Sequence, residues 1–234
     1  YFLAIVGAKE LGFITREDAV QRAKDTIGTL KKLPKHESGF YFNYYDTSTL
    51  EQTSYFVSSV DSGWLAAGLI TIRNAYPELL AEVNEILDKQ NFGFFYDPIE
   101  RQLFHGFYQH LGIYSDYNYG AFYTEPRLTS FIGIGKGDIP MEHWFQTFRT
   151  FPEEYSWQQA EPINRVEKKA LGTQYYGGFY KWKDHLFVPS WGGSLFEALM
   201  PTLCLDEKGL SPDSLGKNNT EHAKIHAEYA LDEL

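Results

Sequence analysis

The chain has 234 residues and a net charge of -10, from 21 Lys and Arg against 31 Asp and Glu. That length allows one large domain with a sizeable core, or two small ones, and the acidic balance counts against nucleic acid, which needs a basic footprint. Hydrophobic residues are 43% and charged residues 22%, as in an ordinary globular protein, but aromatic residues reach 17% and many lie in Gly-, Asp- and Asn-rich stretches.

A ring in a polar loop offers a flat ligand, sugar or nucleobase, a platform at low entropic cost. Cys204 is the single cysteine, so neither an intrachain disulfide nor a cysteine-based metal cluster can form. No apolar run approaches the roughly 18 residues a membrane-spanning helix needs. No signal peptide is read. The opening Tyr1-Phe2-Leu3-Ala4-Ile5-Val6 has no start methionine and reads as the middle of a helix, so this carries no weight.

Residues 2–11 read as a helix closed by Gly12, and Thr15 as the N-cap of the next, with Asp18 three residues on. Val20, Ala23, Ile27 and Leu30 carry helical spacing to Leu33, and Pro34 ends it. Gly39–Leu50 is aromatic and polar without helical period, a loop or short strand bearing Tyr44, Tyr45 and Asp46. Asp46-Thr47-Ser48 also fits a structural Asx-turn. Asp61 or Ser62 reads as the cap of an apolar helix over Leu65–Ala75, and Pro77-Glu78 as the start of another through Gln90. The short Tyr-Pro break suggests an antiparallel helical hairpin. Phe92–Tyr96 and Gln102–Tyr108 alternate around Asp97-Pro98, a β-hairpin signal.

The stretch 116–138 brings a polar-aromatic loop, Asp116-Tyr117-Asn118-Tyr119, up to Glu125-Pro126-Arg127 and an apolar helical run of Leu128, Phe131, Ile132 and Ile134. Proline suits the first helical turn, so Glu125 sits at a helix entrance. Two readings stand: a carboxylate stabilised by the helix dipole, or one desolvated by rings, with the raised pKa that suits acid catalysis. Gly133, Gly135 and Gly137 lack Rossmann spacing, and no Lys-Ser/Thr pair follows, which argues against nucleotide binding.

Residues 139–145 read as a helix entrance or aromatic loop with His143 and Trp144, and 150–172 as polar and irregular. Tyr175–Tyr180 and His185–Val188 flank a second hairpin turn. Pro189–Ser194 opens a helix over Leu195–Met200, 206–219 is turn-rich, and Thr220 reads as the cap of the last helix. His222 and His226 stand four apart near Glu228 without HExxH order, which favours a solvated helix face over zinc. Asn218-Asn219-Thr220 matches a glycosylation sequon. Helices in pairs, with aromatic loops and small hairpins between them, suggest a toroid or solenoid whose loops gather on one face.

Four strings occur in order: FYFNYYDTSTL, SSVDSGWLAAGL (58–69), TEPRLTSFIGIGKGDIPMEHWF (124–145) and VPSWGGSLFEALMP (188–201). Together they resemble the glycoamylase-like family of bacterial proteins, relatives of β-1,2-glucanases and of the processing domain of cyclic β-1,2-glucan synthases. The resemblance implies a mainly α fold, an (α/α)6 toroid with small β-hairpins in its loops. It implies one domain over 1–234, truncated at both ends or a shortened variant, since a complete six-pair toroid needs more residues. Relatives continue with further helices and a Trp-Gly-Phe/Ile-Ser segment, and Tyr229-Ala230-Leu231 lies near where that segment begins. A second catalytic carboxylate in that further part would leave this chain's own activity in doubt. A bacterial family makes use of the sequon unexpected and favours a periplasmic or secreted place.

Glu125 matches the acid of the family's S-E-A-R-L motif, with Thr124 and Pro126 in place of Ser and Ala. Asp61 matches the acid of V-D-S-G, and Trp191 and Glu197 match S-W-G-S-x-F-E. The implied activity is a glycoside hydrolase or transglycosylase on a β-glucan, with the β-1,2 linkage as the candidate. Glu125 is the expected acid and Asp61 the second carboxylate. Tyr119 and Tyr123 are expected to raise the pKa of Glu125, and Arg127 to orient a carboxylate or bind a hydroxyl. Tyr45, Trp64, Trp144 and Trp191 are candidates for sugar stacking; Asp46, Asp116, His143 and Glu197 complete the expected substrate-binding set. No cofactor and no metal are expected. A glycan-binding module without catalysis on the same helical toroid is the alternative, and a helical protein-interaction scaffold a weaker one.

Overall fold

The computed structural model describes residues 1–158 and 160–233. About 44% of the chain is helical, and the longest helices form the first part and the C-terminus. Helix α1 (Phe2–Glu10) closes at Leu11 and Gly12, whose φ of 76° a glycine adopts without strain. Helix α2 (Arg16–Lys32) starts at Thr15, whose Oγ1 accepts the Asp18 amide at 3.1 Å. Its Ala19, Ala23 and Ile27, four residues apart, form the buried stripe.

Helix α3 (Ser59–Ala75) is the axis of the core. It begins at Ser59 rather than Leu65, so neither Asp61 nor Ser62 is its cap. Ser58 caps it, accepting the Asp61 amide at 3.2 Å. The extra turns form because Ser59 finds distant acceptors, the carbonyls of Phe104 and His105 at 2.7 and 3.1 Å. Most of α3 is buried, as expected of a helix surrounded by other elements. Its glycines let neighbours approach. A Cβ on Gly68 would touch Phe2, and one on Gly63 would lie 1.9 Å from Thr129 Oγ1 in α5 (Arg127–Lys136). A 3-10 turn (Pro77–Leu79) leads into α4 (Leu80–Leu87), which stops short of Gln90. Val83, Ile86 and Leu87 return to the same core, and Phe40, Phe92 and Phe95 fill it from the loops.

Among the described residues, four small antiparallel sheets occupy more of the chain than the expected hairpins. Strand β1 (Phe56–Ser58) pairs with β4 (Gly106–Tyr108), and β2 (Tyr96–Asp97) with β3 (Gln102–Phe104). β4 also pairs with β5 (Ile113–Tyr114), and β3 with β6 (Asn118–Tyr119). The expected strand 92–96 is largely a 3-10 turn, capped by Asn91, that turns Phe92 and Phe95 inward. The expected strand 102–108 breaks at His105 and serves two sheets. Gly106 makes the break possible, because a Cβ there would lie 2.4 Å from the Val57 carbonyl.

Helix α6 (His143–Gln146) leads into the 150–172 stretch read as irregular, whose end forms β7 (Glu167–Ala170) and pairs with β8 (Thr173–Tyr176). Their two-residue turn, Leu171-Gly172, has φ of 49° and 80°, the positive values of a tight hairpin turn. The second hairpin forms with a shifted first strand: β9 (Tyr180–Trp182) pairs with β10 (His185–Phe187), while Tyr175 and Tyr176 of the expected 175–180 strand belong to β8. Then come α7 (Leu195–Leu199), α8 (Glu207–Leu210) and α9 (Leu215–Asp232). α9 starts before Thr220, whose hydroxyl donates to Gly216 inside the helix instead of capping it. Among the described residues no helix is long and apolar enough to cross a membrane.

Gly63→Ala is expected to cost about 1–3 kcal/mol by forcing α3 and α5 apart. Adding Thr129→Ala should recover part of the loss, and urea unfolding of the single and double variants measures both.

Candidate functional site

Three carboxylates from distant parts of the chain share one neighbourhood: Asp61 in the first turn of α3, Glu125 at the entrance of α5, and Glu197 in α7. Glu125 is partly buried. Its carboxylate accepts the Trp64 indole N–H at 3.1 Å, and it caps nothing, since α5 begins on Pro126 without a side-chain cap. Asp61 and Trp64 stand three apart on α3, hence on one face. Burial raises the pKa of Glu125; the Trp64 hydrogen bond opposes the shift, and the charges of Glu197 and Asp61 reinforce it. Tyr119, at the end of β6, adjoins the same group. Burial raises its hydroxyl pKa, with smaller contributions from Tyr117 and from Glu125, Asp61 and Glu197.

Asp61 is exposed and accepts the Asn43 amide at 3.1 Å. Asn43 also takes the Ser58 N–H at 3.2 Å, bracing the start of α3. Asn43, Tyr45, Asp61 and Ser62 line one cavity of about 290 Å³. Glu197 accepts the Gly192 amide at 3.3 Å, which ties it to the loop bearing Trp191. A larger cavity, about 640 Å³, lies elsewhere, and none of the three carboxylates lines it.

Several expected binding residues have structural roles instead. Arg127 is buried and directs its guanidinium to Glu207 at 2.7 and 3.1 Å and to the carbonyls of Thr124, Glu197 and Ala198. No N–H remains for a sugar hydroxyl. Tyr123 is fully buried, bonded to Asn219 and packed on Arg127 and His222. His143 is fully buried between Ser130 and the Arg101 carbonyl, 2.8 Å from each. The Tyr45 hydroxyl donates to Pro34 at 2.7 Å and accepts the Phe42 amide at 2.8 Å. Asp46 closes the Asx-turn, accepting the amides of Ser48 and Thr49 at 2.7 and 3.0 Å. Trp144 packs edge-on against Phe122, 5.1 Å away, and lines the large cavity. Asp116 is exposed, Trp191 is 45% exposed, and Tyr119 is partly buried.

Sequence reasoning did not single out Asn43 or His105. His105 stacks on Tyr117 at 4.6 Å and meets Tyr119 edge-on at 5.5 Å. Burial lowers its pKa and the nearby Asp61 opposes that. The polar-aromatic setting of Asn43, inside FNYYD, was the only available signal.

Helix α9 holds the loop that carries Trp191. Asn218 brackets the backbone of Val188 at 2.8 and 2.9 Å, His222 meets the Val188 carbonyl at 2.9 Å, and His226 the Gly193 carbonyl at 2.9 Å. His222 is only 3% exposed, so the solvated face expected for it is not what forms. His185 of β10 lies between Glu221 at 2.6 Å and Glu228 at 2.9 Å. A carboxylate on each ring nitrogen requires both N–H groups, hence the imidazolium. Among the described residues no group of three or more His, Cys, Asp or Glu is arranged to hold a metal.

Residues 1–95 match a family described as protein of unknown function (DUF3131). The cyclic beta-(1,2)-glucan synthase NdvB of Rhizobium meliloti is 41% identical over 73 residues, which is 31% of this chain and 2% of that protein. The solved structure of a putative glucoamylase from Bacteroides fragilis superposes with a TM-score of 0.53 at 14% identity, covering 83% of this chain and 45% of the other. The latter likeness is one of fold. The chain therefore spans under half of that structure and a small part of the synthase.

Arg127→Ala is expected to cost about 3–5 kcal/mol, because it leaves Glu207 charged and buried; denaturant unfolding reads this. The His185 contact has a pH sign. Its two carboxylates, Glu221 first, raise its pKa, so the contribution is complete below the ordinary histidine value and is lost as pH rises through the raised one. Exchange of the hairpin amides, corrected for intrinsic rates, should quicken over that window, and His185→Gln should remove the dependence.

Proposed function

We propose that the chain is a glycoamylase-like protein that acts as a glycoside hydrolase on a β-glucan, with β-1,2-linked glucan the first candidate. The observation that carries this reading is the partly buried Glu125, held by Trp64 and pushed toward protonation beside Asp61 and Glu197. The partial likeness to the cyclic glucan synthase supports the choice of linkage. On the same reading the helix pairs α1–α2 and α3–α4 are part of an (α/α)6 toroid, which the fold likeness to the glucoamylase supports.

Glycosidic cleavage needs a proton donor for the leaving oxygen and a second carboxylate to activate water or attack the sugar. Glu125 is the donor in this proposal. A carboxyl with a raised pKa keeps its proton to a higher pH, and the Trp64 N–H fixes the orientation of the group. Asp61, exposed and steadied by Asn43, is the second carboxylate. Water adds its oxygen to the anomeric carbon, Glu125 gives its proton to the departing oxygen, and the proton released from water restores the acid. A sugar hydroxyl in place of water gives transglycosylation. Burial is the main cause of the upward shift of Glu125, and Glu197, tied to the Trp191 loop, adds a smaller push in the same direction.

Glu125→Gln is expected to lower kcat on linear β-1,2-glucan by about 10²–10⁴-fold while leaving glucan binding largely intact. For the parent, kcat should fall as pH rises through the raised Glu125 value. At neutral pH the variant should melt no lower than the parent, because a carboxyl whose folded pKa is raised loses stability on ionising. Unchanged turnover in the variant would remove Glu125 from the chemistry; glucan binding without turnover by the parent would favour a glycan-binding module.

A further inference from the structure

Two tryptophans stand half in solvent, one of them in the loop tied to Glu197. Trp157 is 50% exposed and Trp191 45%, and their ring centroids lie 5.4 Å apart at 54°. Phe151, itself 4% exposed, is their common footing, 5.0 Å from Trp157 and 6.0 Å from Trp191. Tyr155 packs against both at 5.8 and 6.4 Å. The backbone beneath is fixed: Tyr180 accepts the Phe151 amide at 3.0 Å and donates to Gln158 at 2.6 Å, and Gln158 donates to the Pro152 carbonyl at 2.8 Å. Gly192, next to Trp191, donates to Glu197 at 3.3 Å, so the loop that carries Trp191 is tied to one of the three carboxylates.

Half-exposed indoles forgo part of their favourable burial. Rings already packed in place lose little freedom when a ligand covers them. A net charge of -10 disfavours an anionic ligand and leaves a neutral sugar, whose C–H face matches an indole. We propose that Trp157 and Trp191 form a stacking wall for a glucosyl unit lying beyond the one held at Glu125 and Asp61. The site then takes an oligosaccharide rather than a single sugar. This rests on the glucan-hydrolase reading above and adds Trp157, from a different stretch of chain, as a determinant of chain length.

The test is calorimetric titration of the Glu125→Gln protein, which does not consume its ligand, with linear β-1,2-, β-1,3- and β-1,4-glucan oligosaccharides of increasing length. Affinity for a bound glucan should rise with length. Trp157→Ala should weaken the longest oligosaccharide on the order of tenfold and the shortest little, while Trp157→Phe retains most of the affinity. Equal affinity of a folded Trp157→Ala protein for the long oligosaccharide overturns the wall and leaves the glucan reading standing. Absence of binding to all three glucans overturns both. Should the alanine variant fail to fold, acrylamide quenching of the parent's tryptophan fluorescence decides. A long glucan must protect emission that Trp157→Phe removes, and unchanged quenching overturns the proposal.

Discussion

The buried ion pair between Arg127 and Glu207 holds the site together. Their side chains are 1% and 2% exposed, and moving such charges out of water costs several kcal/mol each unless every polar atom finds a partner. Here each does. The guanidinium reaches Glu207 and three carbonyls from two segments, Asn219 of α9 closes on Glu207 at 2.9 Å, and Tyr123 covers the cation at 4.6 Å. The pair therefore locks the entrance of α5, the turn of α7, α8 and α9 into one arrangement. Glu125 lies two residues before Arg127, and Glu197 gives its own carbonyl to Arg127, so one clasp sets where both carboxylates stand.

A second constraint comes from the close crossing of α3 and α5. Gly63 lets the Thr129 side chain into the space a Cβ would fill, and Trp64, the next residue, is thereby brought to Glu125. The carboxyl is partly desolvated by that approach. Desolvation and the neighbouring negative charges oppose its ionisation, while one hydrogen bond favours it. Gathering carboxylates in this way does not stabilise a fold. It is the arrangement expected where a site needs a carboxyl that holds its proton above the ordinary range, and the cost is met by the helix packing and the buried clasp.

The C-terminal helix contributes through its backbone-binding side chains. Asn218, His222 and His226 hold carbonyls and an amide of the loop from Val188 to Gly193, and His185 pins the preceding hairpin to the same helix. The loop that carries Trp191 is consequently placed by α9 rather than by local turn chemistry.

Much of the helical framework was legible in the chain. Thr15 with Asp18, the stripe of Ala23 and Ile27, the Tyr-Pro break and the hairpin around Trp182 all act over a few residues, where capping, periodicity and turn propensity decide the outcome. The motif strings also singled out Glu125, Asp61, Trp191 and Glu197 as residues to follow. Tertiary structure decided the rest. It extended α3 back to Ser59 by giving its hydroxyl acceptors in another strand, divided 102–108 between two sheets at Gly106, and buried His222 under Tyr123 and Phe187. It also assigned Arg127 and His143 to structure rather than ligand, since a side chain's free donors are known only once its partners, here residues up to 80 positions away, have folded against it. Local propensity acts along the chain; hydrogen-bond satisfaction and desolvation depend on segments that meet only in the folded state.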